Sequence, residues 1–290
     1  MKRILITGAN SYIGTSVEAY LAKWPDRYQV ETVDMIDGSW RETCFSAYDA
    51  VFHVAGIAHS DNGRISEEKE KLYYAVNTDL TVETAKKAKA DGAGQFIFMS
   101  SAIVYGDSAP LGKQKRITRE TPVLPANCYG DSKVKAEEGI LPLNDADFRV
   151  VVLRPPMIYG KGSKGNYPVL SKLARKLPVF PYVENRRSML YIENLCEFVR
   201  LMIEHEEQGI FWPQNAEYSN TSELVRAIAA AHGKRIVLIK GFTWALKILS
   251  LATGLVNKAF GSLAYDMEMS RYPVEYRVAT LEESIEKTEE

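Results

Sequence analysis

Short apolar runs that stop abruptly at small or polar residues constrain this chain most. Residues 3–7 stop at Gly8, 28–33 at Asp34, 50–54 at Ala55 and Gly56, 95–99 at Ser100 and Ser101, and 150–153 at Arg154-Pro155-Pro156. Each run is too short for a buried helix and carries the Val, Ile and Phe of a strand. Segments of helical character lie between them: residues 17–24, closed by Pro25; residues 72–90; and a segment opening at Lys133-Val134-Lys135-Ala136-Glu137-Glu138. This alternation predicts an α/β fold with a doubly wound parallel sheet, whose ligand crevice lies at the carboxyl ends of the strands. Residues 35–49 leave room for a third strand–helix unit only if it is very short. After residue 155 the pattern changes to Pro- and Gly-rich loops (161–165, 177–181) between helices. The expected organisation is therefore a sheet domain over 1–155 and a smaller C-terminal substrate lobe over 156–290, with some chain returning to the first domain.

Bulk properties exclude several classes. A formal net charge of -1 over 290 residues gives no support to a nucleic-acid binder. Hydrophobic and charged fractions of 46% and 25% are those of a globular protein. Cys44, Cys128 and Cys196 have neither metal-site spacing nor an even framework, which predicts a reducing compartment, the cytoplasm. Met1-Lys2-Arg3 leads straight into a strand, so no signal peptide is expected. No run is apolar for long enough to span a bilayer.

The first run continues as Gly8-Ala9-Asn10-Ser11-Tyr12-Ile13-Gly14. Strand, glycine turn and helix start together make a phosphate site, because backbone N–H groups and the helix N-terminus face the anion. The middle glycine of the usual fingerprint is Ser11 here; a serine serves at negative φ and adds a hydroxyl. Asp34 lies 20 residues past Gly14, where a carboxylate accepts hydrogen bonds from the adenosine ribose and repels a 2′-phosphate. That favours NAD over NADP. A turn aspartate is the plainer reading of the same residue. His53 sits inside its run, and a core histidine explains it better than a catalytic one.

Tyr129 and Lys133 are four apart and project from one helix face. A free tyrosine has a pKa near ~10, too high for a base at neutral pH. A lysine cation beside the phenol favours the phenolate, and a strand-end hydroxyl such as Ser101 can hold the same substrate oxygen. Alone this spacing is common. Beside the glycine loop it becomes a candidate for proton transfer on a sugar or alcohol hydroxyl.

Taken in order, these motifs resemble the extended short-chain dehydrogenase/reductases, within them the UDP-hexose 4-epimerase group. The likeness runs through Thr7-Gly8 to Gly14, through Phe52-His53-Val54-Ala55-Gly56 and through Asn77 in Val76-Asn77-Thr78. It continues in Ser100-Ser101-Ala102-Ile103-Val104-Tyr105-Gly106, in Tyr129/Lys133, in Leu153-Arg154-Pro155-Pro156-Met157-Ile158-Tyr159-Gly160 and in Arg187-Ser188-Met189-Leu190-Tyr191. The resemblance implies a Rossmann-type domain binding NAD through Gly8, Asn10, Ser11, Tyr12, Ile13, Gly14, Asp34, Ala55, Gly56, Asn77 and Lys133. It implies Tyr129 as acid/base, Lys133 holding the nicotinamide ribose and tuning the phenol, and Ser101 on the reacting hydroxyl. Arg187, Met157 and Tyr191 would line the substrate, with Arg187 on its diphosphate. The implied chemistry is 4-epimerisation of a nucleotide-linked hexose, UDP-glucose/galactose or the N-acetyl forms, through a transient 4-keto sugar. A homodimer is also implied.

Besides Ser11, further positions depart from the family pattern. Ser39 stands where an aspartate often holds the adenine, with Trp40 placed to pack on the ring. Met157 replaces an asparagine that contacts substrate phosphates. Ala102-Ile103 replaces the Asp-Glu pair with which the family's dehydratases eliminate water, and this argues against dehydration.

Residues 224–265 contain no acidic residue but hold Arg226, Lys234, Arg235, Lys240, Lys247 and Lys258. Residues 242–263 read as one helix with a broad apolar face. A lobe helix packed on the core is the plain reading; peripheral membrane contact is the sharper one. The latter would suit a sugar carried on polyprenyl diphosphate. A 4-keto-sugar-nucleotide reductase using NAD(P)H would employ the same three catalytic residues, and a non-catalytic NAD-binding sensor would need none of them.

Overall fold

The computed structural model describes residues 1–57, 65–252 and 254–290; of Leu251, Ala252 and Leu255 only the backbone is described. Its strands are β1 (Lys2–Thr7), β2 (Tyr28–Val33), β3 (Ala50–His53), β4 (Gln95–Met99), β5 (Arg116–Ile117), β6 (Arg149–Leu153), β7 (Met157–Tyr159), β8 (Val179–Pro181), β9 (Met189–Tyr191), β10 (Gly209–Phe211), β11 (Val237–Ile239) and β12 (Ala264–Tyr265). Its α-helices are α1 (Tyr12–Leu21), α2 (Glu67–Tyr73), α3 (Leu80–Asp91), α4 (Cys128–Ile140), α5 (Asn166–Lys176), α6 (Ile192–Glu204), α7 (Thr221–Ala231), α8 (Thr243–Ala252), α9 (Leu255–Phe260) and α10 (Leu281–Glu289).

The chain forms two compact units. The first comprises residues 1–106, 122–155 and 195–213; the second comprises 107–121, 156–194 and 214–290. The polar stretch 107–121, which the sequence left inside the sheet domain, therefore belongs to the second unit. Its two strand residues in β5 pair with β12, and Ala109 pairs with Ser262.

A six-stranded, all-parallel sheet organises the first unit, in the order β10-β6-β4-β3-β1-β2. The inner strands β1, β3, β4 and β6 are largely buried and apolar on both faces, as a sheet covered on both sides requires, whereas the edge strand β2 carries Gln29, Glu31 and Thr32. Leu5, Val51, Phe96, Phe98, Val150 and Val152 face a cluster that includes Ala85 and Ala88 of α3 and Ala136 and Ile140 of α4. The alternate residues Ile4, Ile6, Phe52, Ile97 and Val151 are fully buried as well. Burying each such side chain contributes about 1.5–3 kcal/mol, so the sheet is the rigid part of this unit. The expected short third strand–helix unit is a single 3-10 turn, Ser39–Arg41, and no strand lies outside β2 among the described residues. The order therefore reverses between β1 and β3, and their carboxyl ends form the switch point where such sheets bind ligands.

Two expected helices differ in detail. Residues 67–91 run as α2, a π-helical turn at Tyr74–Asp79, and α3. Residues 242–263 are not one helix: α8 and α9 are separate, α9 starts after Gly254, and Thr253 lies outside the described residues.

The second unit is built from short parallel strand pairs (β7 with β9, β8 with β11, β5 with β12) and from α5, α7, α8, α9 and α10. Tyr159, Tyr191, Tyr265 and Tyr276 are buried in it. Helix α10 starts with a capping box, Thr280 taking the Glu283 N–H while Glu283 takes that of Thr280.

Candidate active site

At the end of β1, Gly8 adopts φ +93, and a Cβ there would stand 2.8 Å from the Ala55 backbone nitrogen. The loop thus presses against the strand end at Ala55, and only glycine fits. The N–H groups of Gly8 and Ala9 both donate to the Val33 carbonyl, at 3.0 and 3.3 Å, which brings Asp34 beside the loop. Ser11 has φ -72, so the serine strains nothing; its Oγ accepts the Gly14 N–H at 3.1 Å and caps α1. The N–H groups of Tyr12 and Ile13, in the first turn of α1, have no carbonyl within the helix to receive them and face the loop. The Tyr12 hydroxyl is buried with no hydrogen-bond partner among the described residues, and burial, with Cys196 nearby, pushes its pKa up.

Asp34 is exposed and follows β2 directly; its Oδ1 accepts the Ile36 N–H at 2.8 Å. It is both a turn aspartate and a strand-end carboxylate whose other oxygen makes no hydrogen bond among the described residues. The expected stacking by Trp40 is overturned. Its ring is 0% exposed, in the core beneath the Arg41 guanidinium, and no ligand can lie on it. Ser39 turns inward to Asp37, with Oγ–Oδ1 at 2.7 Å.

His53 is a core residue. It is fully buried, with Nδ1 2.7 Å from the Thr7 hydroxyl and Nε2 3.0 Å from that of Thr81. Burial, with Lys133 adding to it, holds its pKa down at about 3.

Asn77 lies in the π-helical turn. Its Oδ1 accepts from the Ile57 N–H, and its Nδ2 donates to the Ile57 carbonyl (3.2 Å) and to Ser132 Oγ (3.1 Å). Both amide hydrogens are committed, so Asn77 ties the end of β3 to α4 one residue before Lys133. A π turn at such a place is a recurrent feature of functional sites.

Tyr129 occupies the first turn of α4, which Asn127 caps by accepting the Gly130 N–H at 2.9 Å. The Ser101 side chain lies by the phenol and favours its ionised form. Ser101 leaves β4 in an extended conformation, and its Oγ accepts the Ile103 N–H at 3.3 Å. One turn along α4, the buried Lys133 ammonium donates to the Met99 carbonyl at 2.9 Å and lies 4.7 Å over the Phe98 ring. A Cβ on Gly56 would stand 3.4 Å from this ammonium and 3.0 Å from Asn77 Oδ1. Lys133 thus sits beneath the switch point.

The electrostatics differ from the simple expectation. Burial pushes the Tyr129 phenol up to about 12, the nearby Ser101 side chain opposes this, and the neighbouring Tyr73 adds to it. Lys133 does not lower the phenol in this arrangement, because its ammonium is turned to Met99. Burial also lowers Lys133 to about 8, partly offset by Glu137.

A second network in this unit escaped sequence reasoning. Ser100 donates to Glu137, and Glu137 holds Arg154 through Nε (3.1 and 3.2 Å) and Nη2. Arg154 Nη1 and Trp212 Nε1 both donate to the Tyr105 hydroxyl at 2.8 Å. The adjacent serines therefore divide: Ser100 into this buried pair, Ser101 to Tyr129. The signal was present, since Glu137 lies four residues past Lys133 on the same face.

The remaining expected residues lie in the second unit. Met157 pairs with Met189 in the β7–β9 ladder and is half-buried. Tyr191, at the far end of β9, is 4% exposed, its ring 5.8 Å from that of Tyr159, so its side chain belongs to the core. Arg187 donates through Nη1 to the carbonyls of Lys258 (2.7 Å) and Ala259 (3.1 Å), at the end of α9. Its Nε and Nη2 make no hydrogen bond among the described residues.

Comparison with known proteins places the chain. The family model described as the NAD dependent epimerase/dehydratase family matches residues 4–211. The chain belongs to that family. This membership makes NAD the cofactor, and the Gly8 loop, the capped start of α1, Asp34 and the cradle at Gly56 fit it. The chain is 29% identical to a UDP-glucose 4-epimerase of Vibrio cholerae, over 99% of this chain and 94% of that protein. It is 26% identical to the N-acetyl-alpha-D-glucosaminyl-diphospho-ditrans,octacis-undecaprenol 4-epimerase of Escherichia coli O157:H7, over 80% of this chain and 73% of that one. Among solved structures, the UDP-glucuronic acid 4-epimerase of Bacillus cereus in complex with NAD superposes with a TM-score of 0.73 at 16% identity, covering 98% of this chain and 96% of its own. That likeness speaks for the α/β, Rossmann-type fold.

Proposed function

We propose that this family member is a 4-epimerase of a nucleotide-linked hexose. The observation that carries the reading is the placing of Ser101 beside the Tyr129 phenol, with Lys133 one turn away beside Gly56. NAD, when bound, supplies a hydride acceptor and donor and a positively charged ring. Tyr129 would take the proton of the sugar 4-hydroxyl on oxidation at C4 and return it on reduction of the other face of the 4-keto sugar. Ser101 holds the same oxygen throughout. Lys133 would hold the nicotinamide ribose, and its charge there would favour the phenolate. Glu137 and Arg154 fix the face of α4 that carries Lys133. Arg187, with Nε and Nη2 uncommitted, is assigned to the substrate diphosphate. Full-length similarity to a UDP-glucose 4-epimerase supports the reading.

A second reading is a polyprenyl-diphosphate-linked sugar. It is favoured by Met157 in place of the phosphate-contacting asparagine and by the similarity to an undecaprenol-linked epimerase. The test incubates purified protein with UDP-glucose, UDP-N-acetylglucosamine and their galacto epimers, without added cofactor, followed by NMR. Interconversion with no net NADH supports epimerisation of a nucleotide sugar. Net consumption or release of NADH would replace it with a reductase or dehydrogenase. Silence on every nucleotide sugar together with turnover of a polyprenyl-linked one would select the second reading.

A further inference from the structure

We propose that the β8–β11 ribbon and α8 form a docking surface for an anionic lipid bilayer. The geometry begins with the ribbon, in which Val179 and Val237 are register partners and both are exposed, at 45% and 61%. Helix α8 lies along it. Phe242, Ala245, Leu246 and Leu249 line an apolar groove of about 270 Å³ with Val179, Phe180, Pro181 and Ile239. Their spacing of three and four residues puts that face of the helix on the ribbon. The packing is loose, for Phe242 and Leu249 remain half exposed.

The outward face of α8 is also apolar. Trp244 and Ile248 are four apart and 67% and 62% exposed, with the exposed Lys247 between them. A soluble surface does not ordinarily gather a tryptophan, an isoleucine and an apolar groove in one place without a partner. A tryptophan beside lysines is the composition of a helix lying in a membrane interface.

Charge selects the partner. Arg175 and Lys176 end α5 just before β8, Lys234 and Arg235 precede β11, and Lys240 follows it; all are exposed. Lys234 Nζ donates to the Arg175 carbonyl at 2.6 Å, so the two basic pairs converge at one end of the ribbon. Residues 224–265, which hold Lys234, Arg235, Lys240 and Lys247, include no carboxylate of their own. Basic groups around an exposed apolar patch match a surface of anionic headgroups over hydrocarbon, and each adds attraction there. The inference does not depend on which sugar the active site turns over.

The test uses the full chain and needs no substrate. The protein is sedimented with vesicles of phosphatidylcholine alone and of phosphatidylcholine mixed equally with phosphatidylglycerol. Binding is expected on the anionic vesicles, weakened by roughly tenfold or more on the neutral ones and by added salt. Trp244 is the most exposed of the chain's four tryptophans, so emission should shift to the blue on binding and be quenched by brominated lipid. Trp244→Glu with Ile248→Glu, and separately Lys240→Glu with Lys247→Glu, should each lower the affinity roughly tenfold while NAD binding persists. Equal affinity for both vesicle types, or anionic binding that survives the Trp244 and Ile248 changes, would overturn the proposal. So would a concentration-dependent dimer in free solution that Trp244→Glu abolishes, because it would give this face to a second copy of the chain.

Discussion

Two buried cations in the first unit are served by one face of α4, and they are treated in opposite ways. Arg154 is paired through two of its nitrogens with Glu137, and its third donates to Tyr105; the contacts with Glu137 and Tyr105 raise its pKa, against the cost of burial. Lys133, one turn away, donates only to the Met99 carbonyl among the described residues, and burial lowers it to about 8. A buried cation with an acceptor at every guanidinium nitrogen is a structural element. One held by a single neutral carbonyl keeps donors for a ligand, and its charge is destabilising until that ligand arrives.

The largest effect should come from the unmatched cation. Lys133→Met is expected to lower turnover by ~10²-fold or more while leaving the melting temperature unchanged or raised. Activity and thermal unfolding measured on one preparation check this, and equal losses in both would make Lys133 structural. The pH dependence has a definite sign. The unfolded chain binds a proton at this lysine near 10.5, the folded chain only near 8, so its contribution to stability declines as pH falls from 10.5 through 8 and is least below that. Lys133→Met should remove that slope from urea unfolding curves taken across this window.

The matched cation should behave as the reverse. Glu137→Leu leaves the Arg154 charge buried and alone, and should cost about 3–5 kcal/mol. Adding Arg154→Met should restore most of that loss, because the pair is then replaced by apolar volume. Urea unfolding of both single variants and the double variant gives the coupling. A single variant losing under about 1 kcal/mol would show that the pair does not hold α4 in place.

How far this contrast was legible in the sequence follows from what each residue depends on. The parallel sheet was legible because five apolar runs carried the strand signal themselves. Ser101, Tyr129 and Lys133 were legible because spacing on a helix and position after a strand are local. Glu137 was overlooked, since its partner Arg154 is 17 residues away and only the sheet brings the two together. Trp40 was misread because nothing local distinguishes a ring on a ligand from one under the sheet. The downward shift of Lys133 likewise needed burial, a tertiary quantity, whereas sequence offered only its neighbour Tyr129. The split between α8 and α9 went unseen because an apolar stripe continues through both.

A third buried base gives a smaller effect. His53 titrates near 6.5 when unfolded but is held at about 3 between Thr7 and Thr81. The unfolded chain thus binds more protons between these values. Stability from this group is complete above pH 6.5 and declines as pH falls toward 3, by on the order of 2 kcal/mol at pH 5. His53→Asn should be less stable at neutral pH yet lose less on acidification. An unchanged acid limb would mean that His53 is protonated in the folded protein.

The smallest effect concerns a charge that is not buried. Asp34 is solvated, with one oxygen fixed by the Ile36 N–H and the other making no hydrogen bond among the described residues. Hydrogen bonds from ribose hydroxyls to such a carboxylate replace bonds to water, so they contribute only about 0.5–1.5 kcal/mol. Asp34→Asn keeps the acceptor that fixes the turn and removes the charge. NAD affinity should fall by roughly threefold to tenfold, and discrimination against NADP should weaken because the repulsion of its 2′-phosphate is gone. Titration of the variant with each dinucleotide measures both changes. If the NAD-to-NADP ratio does not move, the selectivity resides elsewhere in the loop, and Asp34 is a turn residue alone.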